Sequence, residues 1–336
     1  MSLSSKAVTV LEDLMLKDED RAEDEAEADA LLPLTDERSD EASRITPTIR
    51  ENIAFLSVLA YKRGMGALDR YLDEQLSRGR AYFSREEGLR ALGLSPGAYT
   101  AALTRLVKKQ RLASPRRGFY LILRPEDQTT GAPDPVRWID PLMRYLEIDY
   151  RISLLRAAAF HGSSHQAAMV FQVIVPQQLR DFEIGRHRLQ FICQTMAAFT
   201  QLNQTDWLGQ IKSEAGFAKI AGVELTLLDA ARYVQKAAGI NSVAQIVKDL
   251  GARADPRKLA KAAAHYENSS VRRLGYLLDQ TGHARQASAL EPFARQAKSM
   301  KPLDPSVKPL LESLAALHGK DAKWKLVINE SVEPDF

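Results

Sequence analysis

The stretch that decides the fold reads SREEGLRALGLSPGAYTAALTRLVKKQRLASPRRGFYLI and occupies positions 84–122. Its first residue, Ser84, can N-cap a helix, and Glu87 supplies the carboxylate of a capping box three positions later. Gly93 then provides the short break that commonly joins two helices. The pattern predicts a helix that begins directly after Ser84 and ends before Gly93.

A second helix follows the glycine. Ser95 provides its N-cap, Pro96 occupies the first helical position, and the pattern continues to about Lys109. One side carries an apolar stripe of Tyr99, Leu103, Leu106 and Val107. The opposite side is small near its start and basic near its end, so it can approach base edges closely while its last turn reaches phosphates.

The segment from Ala113 to Leu123 predicts a hairpin with a basic tip at Arg116 and Arg117. With a predicted helix at 67–77, the series is typical of a winged helix-turn-helix that binds duplex DNA. The alternative is that these basic side chains only keep a solvated surface soluble. The candidate DNA-binding residues are Ser95, Gly97, Ala98, Thr100, Ala101, Thr104, Arg105, Lys108, Arg116 and Arg117.

Composition limits the class of protein. The 336 residues are enough for about two domains and a tail, and 45% of them are hydrophobic. No run approaches the roughly 18 apolar residues of a membrane helix, and the N-terminus lacks a signal-peptide pattern, so a cytoplasmic protein is expected. The single cysteine, Cys193, excludes an internal disulfide and a cysteine-rich zinc site, and its apolar neighbours favour a buried, inert side chain.

Charge is distributed unevenly along the chain. Residues 1–41 contain 14 acids and 4 bases, a net −10, whereas the remaining 29 acids and 42 bases give +13. A basic body of this size favours a polyanionic partner such as nucleic acid. The acidic segment has the composition of a disordered tail, which either competes with DNA for the basic surface or only solvates the chain.

Composition and periodicity divide the chain into four parts. Residues 1–45 are predicted as the acidic tail, and residues 46–124 as a winged domain with an extra N-terminal helix that braces it or contributes to a dimer. Residues 125–138 contain three prolines and predict a linker or a rigid crossing. Residues 139–336 are predicted as a mixed α/β domain with a mostly helical C-terminal half, which makes the protein α+β.

Individual elements of the last part are also predicted. A helix is expected at 150–160 and strands at 169–175, 187–193, 217–220 and 324–328. Further helices are expected at 225–236, 243–250, 256–266, 270–279, 284–298 and 306–318.

The sequence disfavours an enzyme. His161 and His165 have the four-residue spacing of zinc ligands, but the intervening Gly162 and two serines predict a helix end, so no metal or cofactor is expected. A nuclease using magnesium would fit a winged domain fused to a mixed α/β domain, yet no glutamate is followed two places later by lysine. Phosphate-binding loops and a nucleophile elbow are absent from the sequence as well.

Four segments resemble a known family, the abortive-infection AbiE-type antitoxins, which are the transcriptional regulators of type IV toxin–antitoxin systems. The segments are RGFYLILRPEDQTTGAPDPVRWIDPLM, YRISLLRAAAFHGSSHQAAMVFQVIVP, NSSVRRLGYLLDQTG and WKLVINESVEPDF. The resemblance extends over residues 67–336, and residues 1–66 do not resemble the usual start of the family.

The resemblance implies a repressor that binds inverted repeats in its own promoter and antagonises a nucleotidyltransferase-like toxin without a stable complex, as part of phage defence. Recognition then falls on the helix after Ser95 and on the hairpin tip. His161, Gly162, His165 and Gln166 match a family hallmark, which we interpret as a turn that docks a helix onto the next strand.

Two basic helices of the C-terminal domain are the candidate antitoxin surface, although a solvated helix face explains their charges equally well. Two other functions remain open, a nucleic-acid-processing enzyme with a winged targeting domain and a regulator that binds a small molecule. The candidate antitoxin residues are Arg257, Lys258, Lys261, Arg272 and Arg273.

Overall fold

The N-terminal region of the structure combines three helices with a small sheet. The computed structural model describes residues 66–163, 170–307 and 319–333. The sheet has the order β1-β3-β2 with antiparallel pairings. The elements are α1 (Ala67–Ser77), β1 (Tyr82–Ser84), α2 (Arg85–Leu92), α3 (Pro96–Lys108), β2 (Leu112–Arg116) and β3 (Phe119–Ile122).

The predicted helix caps of this region are confirmed. Ser84 Oγ accepts a hydrogen bond from the backbone N–H of Glu87 at 3.1 Å, and the Glu87 carboxylate accepts one from the Ser84 N–H at 2.8 Å. Gly93 ends α2 in the left-handed conformation, with φ of 59°. Ser95 caps α3, with its hydroxyl 3.4 Å from the Ala98 nitrogen. Local hydrogen bonding therefore sets the bounds of α2 and α3.

A small apolar core holds these elements together. Tyr99 and Leu103 of α3 pack against residues of α1 and of the sheet. Val107, predicted to belong to the same stripe, is 43% exposed instead. At about 100° per residue, Val107 lies about 40° outside the arc that Tyr99, Leu103 and Leu106 occupy, which explains the error. The remaining core members are Leu68, Tyr71, Leu72, Phe83, Leu106, Leu112 and Ile122.

Residues 125–138 are packed, as expected of a rigid crossing and not of a loose linker. They contain α4 (Pro125–Gln128) and a 3₁₀ turn (Pro135–Arg137). Trp138 is buried at their end, and its indole N–H donates to the Pro133 carbonyl at 2.9 Å.

The C-terminal region is built on a six-stranded mixed sheet of order β6-β7-β5-β4-β9-β8. The β5–β7 and β4–β9 pairs are parallel, and the other three pairings are antiparallel. The strands are β4 (Arg151–Ile152), β5 (Val170–Val175), β6 (Phe182–Ile184), β7 (His187–Cys193), β8 (Leu208–Ser213) and β9 (Gly216–Ala221).

Predicted strands at 187–193 and 217–220 and the described part of the one at 169–175 are confirmed, whereas the prediction of a helix at 150–160 is partly wrong. Its first residues form β4 in the middle of the sheet, and the helix proper begins at Leu154, whose φ is 54°. Arg151 obscures the β pattern of this central strand, because its burial depends on Asp229, a partner far along the chain. The helices interspersed with the sheet are α5 (Ile139–Tyr145), α6 (Leu154–Phe160) and α7 (Met196–Leu202).

Helices dominate the rest of the chain, as predicted, and the α+β class is confirmed. The helix predicted at 306–318 falls mainly outside the described residues, and 306–307 are not helical. The predicted strand at 324–328 appears as β12 (Leu326–Ile328), between β10 (Lys301–Pro302) and β11 (Gly319–Asp321). The helices are α8 (Val223–Arg232), α9 (Ile240–Leu250), α10 (Pro256–Ala263), α11 (Asn268–Gln280) and α12 (Ala284–Gln296).

Strand β3 joins the two regions. Because side chains alternate across a strand, Phe119 and Leu121 enter the large core of the C-terminal region, whereas Ile122 enters the small core. The predicted acidic tail and the extra N-terminal helix lie outside the described residues, as do His165 and Gln166. In the part of the chain that the structure describes, no helix has the length and apolar character needed to cross a membrane.

Candidate nucleic-acid interface

Helix α3 presents a continuous face to solvent. The eight candidate residues on and just before this helix are all exposed. A Cβ added to Gly97 would meet no heavy atom within 4 Å, so the start of the face is open. The eight residues are Ser95, Gly97, Ala98, Thr100, Ala101, Thr104, Arg105 and Lys108.

The two threonine hydroxyl groups on this face donate inward. Thr100 Oγ1 donates to the Pro96 carbonyl at 2.8 Å, and Thr104 Oγ1 donates to the Thr100 carbonyl at 3.0 Å. Because each hydroxyl has one hydrogen and two lone pairs, the outward side of both oxygens can accept a hydrogen bond. Over its first turns the face therefore consists of small, uncharged and partly polar side chains.

Arg85 is a residue of this face that the sequence analysis missed. It begins α2, and its Nη2 donates to Thr100 Oγ1 at 3.0 Å. Its guanidinium also lies over the ring of Tyr99, 5.6 Å from the centroid. Sequence spacing did not indicate this arginine because it comes from a different helix, and only the fold places it beside α3.

The two arginines of the hairpin tip have different environments. Arg117 is exposed, as the prediction requires. The guanidinium of Arg116 lies 4.4 Å from the centroid of the Phe182 ring, and its Nη2 donates to the Arg180 carbonyl. Burial, and then the charge of Arg180, lowers the pKa of Arg116. Arg116 is thus only partly exposed and packs on Phe182 of strand β6, so a phosphate contact by this side chain stays a prediction.

The hairpin tip is held from both sides. Gly118 has φ of 85°, and a Cβ at this position would overlap the hydroxyl of Tyr145. That hydroxyl donates to the Arg117 carbonyl at 3.2 Å, while the N–H of Arg85 donates to the Gly118 carbonyl at 2.7 Å. The tip thus lies between the start of α2 and the end of α5.

An ion-pair cluster fixes the exit from the small sheet. Glu214, in the β8–β9 turn, accepts from Arg124 at 2.6 and 3.1 Å and from Arg137 at 3.0 Å. Burial acts to raise the pKa of Glu214, but the hydrogen bonds and charges of the two arginines outweigh it and hold the pKa below its usual value. The cluster connects the small sheet to the large one.

The candidate antitoxin residues divide into exposed and buried groups. Arg257, Lys258 and Lys261 are exposed on α10. Arg272 and Arg273 on α11 are buried, so their prediction as surface residues is wrong. They donate to carbonyls instead, Arg272 to Lys325 at 2.7 Å and Arg273 to Ala231 at 2.6 Å.

Backbone carbonyls stabilise these two guanidinium groups because they accept hydrogen bonds from them in the interior, although Arg272 Nε has no partner among the described residues. Burial lowers the pKa of Arg273 to about 10. The two side chains tie α11 to the segments around residues 299–303 and 324–325, which is a structural role.

A buried ionic cluster lies in the core of the C-terminal region. Arg151 of β4 pairs with Asp229 of α8 at 3.2 Å, and both side chains are fully buried. Asp229 also accepts from Ser153 and Tyr266, each at 2.7 Å. Burial raises the pKa of Tyr266 well above its usual value. The cluster fastens the central strand to the helical layer.

The sequence hallmark at 161–162 forms a turn, as predicted. His161 ends α6, and its Nε2 lies 2.7 Å from the Ala221 carbonyl, so this nitrogen carries the proton. Burial lowers the pKa of His161. Gly162 follows at φ of 91°. Among the described residues, no group of three His, Cys, Asp or Glu side chains could hold a metal ion.

Cys193 is exposed at the end of β7, so its predicted burial is wrong. Its neighbours Phe191 and Ile192 are buried, and the cysteine is the last residue of the strand, beyond the packed part of the sheet.

The C-terminal region thus belongs to the class of mixed α+β domains in which helices pack on one central sheet. Residues 151–280, from β4 to the end of α11, match the family model described as the AbiEi antitoxin C-terminal domain. The resemblance to the AbiE-type antitoxins is confirmed by this match, which supports an antitoxin role in a toxin–antitoxin system.

A solved structure has a similar fold over most of the chain. The crystal structure of the RV2827C protein from Mycobacterium tuberculosis superposes with a TM-score of 0.55 at 16% sequence identity. The superposition covers 77% of this chain and 90% of that one. No curated protein matches the chain.

Proposed function

We propose that this chain is an antitoxin that represses its own operon, with residues 67–123 acting as a winged helix-turn-helix on inverted repeats of promoter DNA. The single observation that carries the proposal is the open face of α3, on which all eight candidate residues are exposed. The element order helix, strand, helix, helix, strand, strand also supports it.

The chemistry of the α3 face suits a major groove. Gly97, Ala98 and Ala101 permit close approach of the helix start to base edges. The hydroxyl oxygen of Thr104 can accept from a base amino group, and Arg105 and Lys108 extend the face toward the phosphates.

A charged side chain on the face tests the proposal. Ala101→Glu should weaken binding of the full chain to the DNA upstream of its own gene by at least tenfold, because it places a carboxylate against a polyanion. Ala91→Glu is the matched control, since Ala91 is also exposed but lies near the end of α2. Equal affinities of the two variants in a gel-shift titration would exclude α3 as the recognition helix.

The hairpin offers a second comparison. Arg117→Ala should reduce the slope of log affinity against log salt by about one, as expected for a lost phosphate contact. Arg116→Ala should leave that slope almost unchanged, because Arg116 packs on Phe182. The reverse order would mean that the hairpin rearranges on DNA.

We further propose that the C-terminal domain antagonises a nucleotidyltransferase-like toxin without holding it in a stable complex and without catalysing a reaction. The family match over residues 151–280 supports the antitoxin role. The exposed cations of α10, namely Arg257, Lys258 and Lys261, form the surface proposed for this task.

Growth of cells that express the toxin separates the two activities. Full-length Ala101→Glu should lose promoter binding and still protect the cells when it is expressed from a foreign promoter. The triple change R257A/K258A/K261A should keep promoter binding and lose protection. Loss of protection by Ala101→Glu at equal protein levels would contradict the division of labour between the two domains.

A further inference from the structure

Arg85 lies where two parts of the interface meet. Its backbone N–H donates to the Gly118 carbonyl of the hairpin tip, and its Nη2 donates to Thr100 Oγ1 of α3. Its guanidinium also rests over the Tyr99 ring. The side chain is therefore held on the exposed side of the helix pair by two contacts before any ligand binds.

Most N–H donors of the Arg85 guanidinium have no hydrogen-bond partner in the part of the chain that the structure describes. Arginine has five N–H groups, and the hydrogen bond to Thr100 uses one of them. A planar fork of this kind binds phosphate oxygens in a bidentate manner, and its restricted position lowers the entropy lost on binding.

Helix α3 carries no charged side chain in the turns around Thr100, which Arg85 contacts. Residues 96–104 contain no Asp, Glu, Lys or Arg, so the first cation of the helix itself is Arg105. Arg85 therefore supplies, from α2, the positive charge that accompanies the neutral start of α3.

Within residues 66–163, 170–307 and 319–333, no carboxylate forms an ion pair with the guanidinium of Arg85. Glu87 accepts from the Ser84 N–H at 2.8 Å and from Arg80 at 3.0 Å. Glu86 is exposed one position along α2, about 100° further round the helix.

We propose that Arg85 is a further DNA-contacting residue, which donates to a backbone phosphate at the edge of the groove that receives α3, and that Thr100 is its positioning residue. The inference rests on the proposed function, because it requires that α3 faces a duplex. A phosphate contact fits the position of Arg85, since the helix before a recognition helix crosses the DNA backbone.

The test compares two charge removals on the same helix. Arg85→Gln and Arg90→Gln each remove one positive charge from α2, and Arg90 is exposed and about 140° away from Arg85 round the helix. Binding to the duplex upstream of the gene of this chain, and to an unrelated duplex of equal length, is measured across a salt series. Arg85→Gln should reduce the salt slope by about one on both duplexes, whereas Arg90→Gln should change it far less.

Two further variants distinguish a contact from a general loss of structure. Arg85→Lys keeps the charge but not the fork, so the slope should persist while affinity falls. Thr100→Val should weaken binding in the wild-type background and have little further effect in the Arg85→Gln background, because the two residues then act as one unit. Strictly additive effects would overturn the positioning role of Thr100.

The outcomes separate this inference from the proposed function. Failure of the wild-type chain to bind either duplex would overturn the proposed function itself. Wild-type binding with equal behaviour of Arg85→Gln and Arg90→Gln would overturn the role of Arg85 alone. Loss of preference for the upstream duplex with unchanged binding to the unrelated one would also overturn it, because such an effect belongs to a base contact.

Discussion

The two regions on either side of the packed crossing are stabilised by contacts of different sequence range. In residues 66–123 the deciding hydrogen bonds are local, as between Ser84 and Glu87. In residues 139–333 the central strand depends on the Arg151–Asp229 pair, whose members are 78 positions apart. Local patterns therefore suffice to recognise the small region, whereas the large one is defined by pairings that no short window contains.

The regions nevertheless share structure at their junction. Phe119 of β3 lies in the large core, and Arg116 of β2 packs on Phe182 of β6. The interface proposed for DNA is therefore attached to the antitoxin domain through buried contacts and not through a tether.

The largest expected effect tests the long-range pair. Arg151→Met leaves the Asp229 carboxylate buried without its cation and should cost about 3–5 kcal/mol of unfolding free energy. Arg78→Met is the matched control, because Arg78 pairs with Glu74 on the exposed side of α1 and should lose only about 0.3–0.5 kcal/mol. Denaturant titrations of both variants measure the difference. Similar losses would mean that the core pair is not what holds β4.

A smaller effect is expected where the crossing contacts the C-terminal region. Gly185 has φ of 55°, and a Cβ there would overlap the backbone around Thr130. Gly185→Ala should cost about 1–2 kcal/mol for the left-handed conformation and about 1–3 kcal/mol more for the overlap.

Gly79→Ala provides the reference for this overlap, since Gly79 has φ of 74° and open space around it. The difference between the two unfolding free energies isolates the cost of the overlap. If the two losses agree, the packing of the β6–β7 turn on the crossing is loose.

Local capping should have a still smaller effect. Ser84→Ala removes one half of the capping box and should cost about 1 kcal/mol. Ser77→Ala removes an exposed hydroxyl that donates to the Glu74 carbonyl at 2.8 Å and should change stability by less than about 0.5 kcal/mol. Thermal unfolding of both variants checks the order, and an equal change would show that the box adds nothing to an ordinary surface hydrogen bond.

The sequence could predict those elements whose bounds depend on contacts within a few residues. The bounds of α1, α2 and α3 follow from caps and apolar spacing, which act within a few residues. Strand β8 has no continuous apolar run and exists because it pairs with β9. Its pairing partner, not its composition, makes it a strand.

The candidate site divides in the same way. The exposed face of α3 could be predicted from helical periodicity, because it depends on one element. The positions of Arg85 and Arg116 could not be predicted in this way, since they depend on contacts with Thr100 and Phe182 in other elements. Arg272 and Arg273 follow the same rule, because carbonyls from distant segments make their burial possible.

The smallest expected effect concerns pH and the cluster that joins the sheets. The pKa of Glu214 in the folded chain lies below its ordinary value of 4.5. A carboxylate with a lowered folded pKa contributes stability that is fully present above about pH 4.5 and is lost as the pH falls through the folded value. Because the side chain is 46% exposed, the contribution should stay under about 1 kcal/mol.

Glu214→Gln should therefore be less stable than the wild type at pH 7 and approach it in stability as the pH falls below about 4.5. Glu183→Gln serves as the control, since Glu183 is exposed and lies 3.9 Å from Arg188. Its stability should follow that of the wild type over the whole range. Denaturation midpoints between about pH 7 and pH 3 measure both, in the range where carboxylates titrate. A Glu214→Gln deficit that stays constant down to the acid end would mean that the second carboxyl oxygen, not the charge of the group, holds Arg124 and Arg137 in place.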